Sequence, residues 1–196
     1  MLDVSSFDPG VREGRRQFLR TGAGLVSASL LGSLVPGSAA LADVPESDRR
    51  LLLVNAHTRE ELDVVYFQHG CYVEQALTEI NELMRDHRAD KARVMDRRLV
   101  DDLVRLYATM DTDEPIHLLS GYRTPETNAR LRKRSMGVAK YSLHMEGRAA
   151  DIHIPGIHTR ELQQAALAMQ SGGVGYYRRS GFVHVDTGRI RNWERG

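Results

Sequence analysis

In "YVEQALTEINELMRDHRAD", Val73, Ala76, Leu77, Ile80, Leu83 and Met84 recur at three- and four-residue intervals. That spacing predicts a helix with one buried face. "MDRRLVDDLVRLYATM" repeats it with Leu99, Val100, Leu103, Val104, Leu106 and Tyr107, and Asp96 stands where an N-cap belongs. "TPETNARLRKRS" opens a third helix, with Thr124 as the cap, Pro125 at the first helical position and Glu126 beside it. "HTRELQQAALAMQ" is a fourth. Elsewhere the period drops to two. "RRLLLVNAHT" and "ELDVVYF" read as a hairpin, and "PIHLLSGYR" as a strand running into a loop. "AADIHI" is a strand, and "GGVGYYRRSGFVHVDTG" is a second hairpin turned at "RRSG". The fold class this predicts is α+β: a mostly antiparallel sheet with helices on one side, without an internal domain boundary.

Strand parity then sorts the polar residues. In "ADIHI", Asp151 and His153 point one way while Ile152 and Ile154 point the other, into a core. In "GFVHVD", Phe182, His184 and Asp186 share one face, and Val183 and Val185 share the opposite one. If the two strands pair, Asp151, His153, His184 and Asp186 crowd one patch, and His144 in the preceding loop can fold over it. Two histidines and a carboxylate, with a fourth position for water, is the donor set of a catalytic zinc site. On spacing alone the reading stays divided between such a site and hydrogen-bonded strand histidines. Cys71 is the chain's one cysteine, which excludes an intramolecular disulfide, and it reads as a small buried residue at a helix start.

The N-terminus carries a different signal. "GRRQFLR" places Arg15 and Arg16 before Phe18 and Leu19. An uncharged stretch from Thr21 follows, and it ends in Ala40-Leu41-Ala42. This is the layout of an export signal with a small-x-small cleavage site. The arginine pair resembles the twin-arginine address read by the export machinery. Pro36 and the glycines argue against a membrane-spanning helix. The expected division is a signal over residues 1–42, cleaved after Ala42, and a domain over 43–196. The expected location is the periplasm, with no stable membrane anchor after cleavage. The formal net charge of +1 falls to zero when the signal is removed, so nothing points to nucleic acid.

"SLHMEGRAAD" resembles the Ser-x-His-x-x-Gly-x-Ala-x-Asp pattern of the zinc D-Ala-D-Ala peptidase and hedgehog-like superfamily, with Ser142, His144, Gly147, Ala149 and Asp151 as its elements. "SGYRT" is similar to that superfamily's Ser-x-x-Arg segment. "GGVGYYRRSGFVHVDTGRIRNW" and "NAHTRE" resemble its murein endopeptidase K-like branch. The resemblance implies a hedgehog-like fold and a Zn2+ held by His144, Asp151 and His184. It implies Arg123 as the group that meets an oxyanion or a substrate carboxylate, and Ser142 as a substrate contact. It implies cleavage of peptide cross-links between the stem peptides of peptidoglycan. The alternatives are D,D- or L,D-carboxypeptidase trimming and a non-catalytic peptidoglycan-binding module.

One position departs from the superfamily. Many members carry a Glu as general base three residues before the last histidine, where this chain has Gly181. Asp186, His153 and Glu146 are the candidates to replace it, with Asp186 equally readable as a carboxylate that orients His184. Arg123 also has a plain reading as a salt-bridge residue. Tyr176 and Tyr177 read as hairpin packing, and His57 and Glu60 as turn residues.

Overall fold

The fold is described from a computed structural model, over residues 48–135 and 137–196. The signal expected at 1–42 lies outside the described residues. Eight strands form one sheet: β1 (Arg49–Asn55), β2 (Glu61–Gln68), β3 (Cys71–Tyr72), β4 (Ile116–Ser120), β5 (Ala149–His153), β6 (Gly173–Tyr177), β7 (Phe182–Asp186) and β8 (Arg191–Arg195). Their order across the sheet is β3-β2-β1-β4-β5-β7-β6-β8. Both expected hairpins, β1–β2 and β6–β7, form. The sheet is mostly antiparallel, and two neighbours are parallel, β1 with β4 and β6 with β8.

Four helices accompany it: α1 (Glu74–Leu83), α2 (Arg97–Ala108), α3 (Pro125–Arg134) and α4 (Thr159–Ala168). Each of the last three starts at a side-chain cap. Asp96 accepts from the Arg98 amide, Thr124 from the Thr127 amide, and His158 from the Arg160 amide. No helix among the described residues is long and apolar enough to cross a membrane.

Alternation gives the sheet two unlike faces. Leu51, Leu53, Ile116, Leu118, Ile152, Val174 and Val183 are buried on one face. Ile80 of α1, Leu99 and Leu103 of α2, and Leu162 of α4 join them in a single core. The polar partners in the alternation, among them Asp151, His184 and Asp186, take the other face. Helix α3 contributes no member to that core.

Two local expectations change. Helix α1 stops at Leu83 rather than running through "RDHRAD". Asp86 causes the stop: its Oδ1 accepts from the Arg88 amide, and its backbone closes a turn with Lys91, so the side chain competes with helical bonding. Cys71 is exposed and sits in β3, not buried at a helix start. The intervening strand residues Cys71 and Tyr72 pair with Gln68 and Phe67 at the sheet edge, which displaces the helix start to Glu74.

Asp86 also fixes the loop that leads into α3. Its Oδ2 accepts from both the backbone N and the Oγ1 of Thr124, each at 2.9 Å. Burial would raise this carboxyl, but hydrogen bonds from Thr127, Thr124 and Arg88 outweigh it and hold it below its ordinary range. A carboxylate depressed in the folded state stabilises fully above its unfolded pKa and loses that contribution as pH falls through the folded value. Asp86→Ala is expected to cost about 2–3 kcal/mol near neutral pH, the scale for orphaned buried donors. The gap between wild type and variant, measured by denaturant titration, should narrow as pH drops below about 4, the ordinary Asp range. A gap that widens on acidification would contradict this.

Candidate metal centre

Strands β5 and β7 pair with Asp151 directly opposite His184. Cross-strand partners on one face stand about 5 Å apart at Cβ, so this register alone brings a carboxylate and an imidazole together. The third group comes from above. His144 lies in a 3-10 turn over Leu143–Glu146, closed by Gly147 in the left-handed conformation at φ 71°. A side chain at Gly147 would run into the Val94 carbonyl, 2.6 Å from the Cβ position. The turn is tied to the loop after β4 at two points. The Arg123 amide donates to the His144 carbonyl at 3.1 Å, and His144 Nδ1 donates to the Gly121 carbonyl at 2.7 Å. That second bond fixes the tautomer and leaves the lone pair of Nε2 free to ligate.

His144 Nε2 lies 3.3 Å from Asp151 Oδ1 and 3.2 Å from His184 Nδ1, and the latter two atoms are 2.8 Å apart. Tetrahedral ligands bound at about 2.0–2.1 Å have edges of about 3.3 Å, so two of the three edges already fit a zinc-sized ion. All three residues are buried, and they form a group able to hold a metal. Their protonation fits as well. Burial lowers His144 and favours the neutral ring. Burial would raise Asp151, but the facing histidines hold it below the usual carboxylate range. Burial opposes charge on His184, yet the hydrogen bonds it donates to Asp151 and Asp186 push it up to about 8. A proton on His184 Nδ1 points at Asp151, into the place where a cation would be drawn more strongly; binding one releases the proton.

Asp186 stands on the far side of His184, and its Oδ2 accepts from Nε2 at 3.0 Å. Its other bonds come from Arg191 Nη1 and Nη2, Gly173 N and Gly188 N, at 2.7–3.1 Å. With five donors on two oxygens, this carboxylate is committed to holding His184 with Nδ1 toward the site. His153 is not among the gathered groups: its ring packs edge-on against His117 at 4.8 Å, one strand away. Glu146 is exposed and accepts from Arg148 at 3.0 Å. Gly181 lies in the β6–β7 turn with φ 67°, a conformation that favours glycine over the glutamate of the wider superfamily.

A cavity of about 450 Å³ opens over the three groups. Ser142 and Arg123 line it, as do Tyr141, Tyr177, Phe182 and Trp193. Arg123 is buried, with Nη2 3.5 Å from Asp151 Oδ2 and 3.1 Å from Ser120 Oγ, and Nη1 3.3 Å from Asn128 Oδ1. Its Nε has no partner among the described residues.

Strand β8, which periodicity did not reveal, supplies Arg191 and Trp193. Gly173 and Gly175 of β6 stand between these residues and β7, pairing with Asp186 and His184 on one side and with Arg191 and Trp193 on the other. The absent side chains let β8 reach across. A Cβ on Gly173 would lie 2.2 Å from Arg191 Nη1, and one on Gly175 would lie 2.5 Å from the Trp193 ring. The Trp193 ring centroid is 5.2 Å from that of His184. Glycines two apart in a strand mark such a close approach, and that was the available sequence signal. Gly175→Ala should therefore push Trp193 off His184 and weaken metal affinity about tenfold or more, the usual cost of losing outer support around a ligand. Trp193 is the chain's one tryptophan, so its emission during zinc titration reads this directly. Adding Trp193→Ala should remove the steric part of the Gly175→Ala destabilisation; an undiminished cost in the double variant would rule out the clash.

A family model described as Peptidoglycan L,D-endopeptidase MepK, Peptidase_M15_2, matches residues 44–193. The Escherichia coli K12 protein named peptidoglycan L,D-endopeptidase MepK is 43% identical over 179 residues, covering 91% of this chain and 96% of its own length. The Haemophilus influenzae protein named probable peptidoglycan L,D-endopeptidase MepK is 32% identical over 185 residues, covering 94% and 97%. Buried His144, Asp151 and His184 thus stand inside a match that runs nearly end to end, and the chain belongs to the MepK family of peptidases, Peptidase_M15_2.

Proposed function

We propose that this chain is a zinc-dependent peptidoglycan endopeptidase, exported to the periplasm by the twin-arginine route, that cuts peptide cross-links between stem peptides. The observation that carries the reading is the buried His144–Asp151–His184 group at the floor of an open cavity. Nitrogen and carboxylate donors without thiolate suit a catalytic rather than a structural zinc. The family match supports peptide-bond hydrolysis, and the relatives' printed names support the substrate. The paired Arg15 and Arg16 ahead of an apolar stretch support export.

When bound, the zinc supplies a Lewis acid that polarises the scissile carbonyl and lowers the pKa of water. The protein's own groups do the positioning. His144 is held by Gly121, and His184 by Asp186 and Arg191, so neither ring needs to reorient on binding. Arg123 is the cation nearest the group and meets the charge that grows on the carbonyl oxygen or a carboxylate of the substrate. Ser142, buried at the cavity wall, contacts the substrate backbone.

His144→Ala is expected to remove both bound zinc, read by atomic emission, and cleavage of cross-linked muropeptides, read by chromatography. A metal-free variant with full activity would refute the assignment, and release of single amino acids would convert the activity to a carboxypeptidase. Zinc-loaded wild type that leaves the dimers intact would favour a binding module. Arg123→Ala should retain zinc while kcat falls by about 100- to 1000-fold, the effect of deleting one preorganised donor. Loss of metal in that variant would instead make Arg123 a structural partner of Asp151.

A further inference from the structure

Three arginines line the cavity, and two are already engaged. Arg123 faces Asp151 and Arg191 grips Asp186. The guanidinium of Arg195 has no hydrogen bond or ion pair among the described residues; only its carbonyl is used, by the Arg178 amide. No acidic residue occurs from Leu131 to Met145 or from Gly173 to Val183, the two segments that supply most of the cavity rim. An anion entering the cavity therefore meets no carboxylate at this end, and it finds an uncommitted cation.

The position of that cation follows from register. His184, Gly175 and Trp193 form one rung across the sheet, and Phe182, Tyr177 and Arg195 form the next. Residues two apart on a strand share a face and stand roughly 7 Å apart. Arg195 is thus one rung along and two strands across from the metal-binding His184, roughly 12 Å at Cα, about the reach of three or four residues of extended peptide. Between them Tyr177 and Phe182 stack face to face, ring centroids 4.4 Å apart at 15°. Trp193 Nε1 donates to the Tyr177 hydroxyl at 3.2 Å and steadies the stack. An apolar shelf ending in a free guanidinium suits a methylene stem ending in a carboxylate.

We propose that Arg195, with Tyr177 and Phe182, is a specificity subsite for a free side-chain carboxylate carried by a cross-linked stem-peptide residue close to the scissile bond. The inference rests on the endopeptidase reading and adds the group that selects the substrate. Arg178 and Arg179 in the adjoining turn add to the positive field.

The test uses the zinc-loaded protein and two cross-linked muropeptide dimers that differ only in that carboxylate, free in one and amidated in the other. Wild type should cut the free acid with the higher kcat/KM. Arg195→Ala should lower kcat/KM on the acid by about 10- to 100-fold, mostly through KM, and leave the amide nearly unchanged. Arg195→Lys should recover part of the loss, and zinc content should match wild type throughout. Equal cleavage of both dimers by wild type, or an equal drop on both in Arg195→Ala, would overturn the subsite. Calorimetric titration of the same dimers separates this claim from the endopeptidase reading. If neither dimer is cut, that reading falls, but the subsite stands when wild type binds the acid more tightly and Arg195→Ala abolishes the difference. It falls too when wild type binds both alike.

Discussion

The site depends on one pairing: Asp151 opposite His184 in the antiparallel β5–β7 ladder. A one-residue slip would turn every side chain of one strand to the other face. It would send His184 into the core and bring Val183 or Val185 out. The core prevents it, because Ile152 and Val183 are both fully buried on the opposite face. The hydrophobic packing beneath the sheet therefore sets the metal geometry above it. The polar contacts around His144 and His184 then fix only the ring orientations within that register.

Holding several charges in so small a volume needs compensation. Asp151 and Asp186 are both buried, and each has an arginine at its outer side: Arg123 at 3.5 Å and Arg191 at 2.7 Å. His184 lies between the two carboxylates and is bonded to both. The result is an alternating line, Arg123–Asp151–His184–Asp186–Arg191, that crosses three strands and the loop after β4. Within it the His184 proton and a metal ion compete for the same place. Asp186 cannot also serve easily as a mobile base, because taking a proton would break its grip on Arg191 and on the Gly173 and Gly188 amides.

Much of this was legible in the residues. Parity separated Asp151 and His184 from Ile152 and Val183, and the caps at Asp96 and Thr124 marked two helix starts that the structure reproduces. Parity did not distinguish His153 from Asp151, since both leave the core face. The distinction is the neighbour across the ladder: Asp151 faces His184, whereas His153 faces His117 on β4. Strand β8 was missed because "RNWER" has one apolar residue and no core-facing stripe; it is an edge strand whose contribution is polar. The α1 terminus was misread because the apolar spacing runs to Met84, and a single carboxylate at Asp86 redirects the backbone there.

Gly181 joins these observations to the chemistry of the cavity. Where many members of the wider superfamily carry a glutamate, this chain makes a turn with φ 67°, and the Gly181 amide donates to the Tyr177 carbonyl at 2.9 Å. That turn closes β6 onto β7 so tightly that Tyr177 and Phe182 become direct cross-strand partners. The same closure sets Gly175 opposite His184, which opens the gap that Trp193 fills from β8. A glutamate at 181 would have to adopt a left-handed backbone in an exposed turn, a conformation that side chains with a Cβ rarely take. The turn instead brings two aromatic residues together at the cavity wall. It leaves Asp151 and Asp186 as the cavity's acidic residues, both already engaged by histidine and arginine, and the surface facing the substrate is left cationic and apolar.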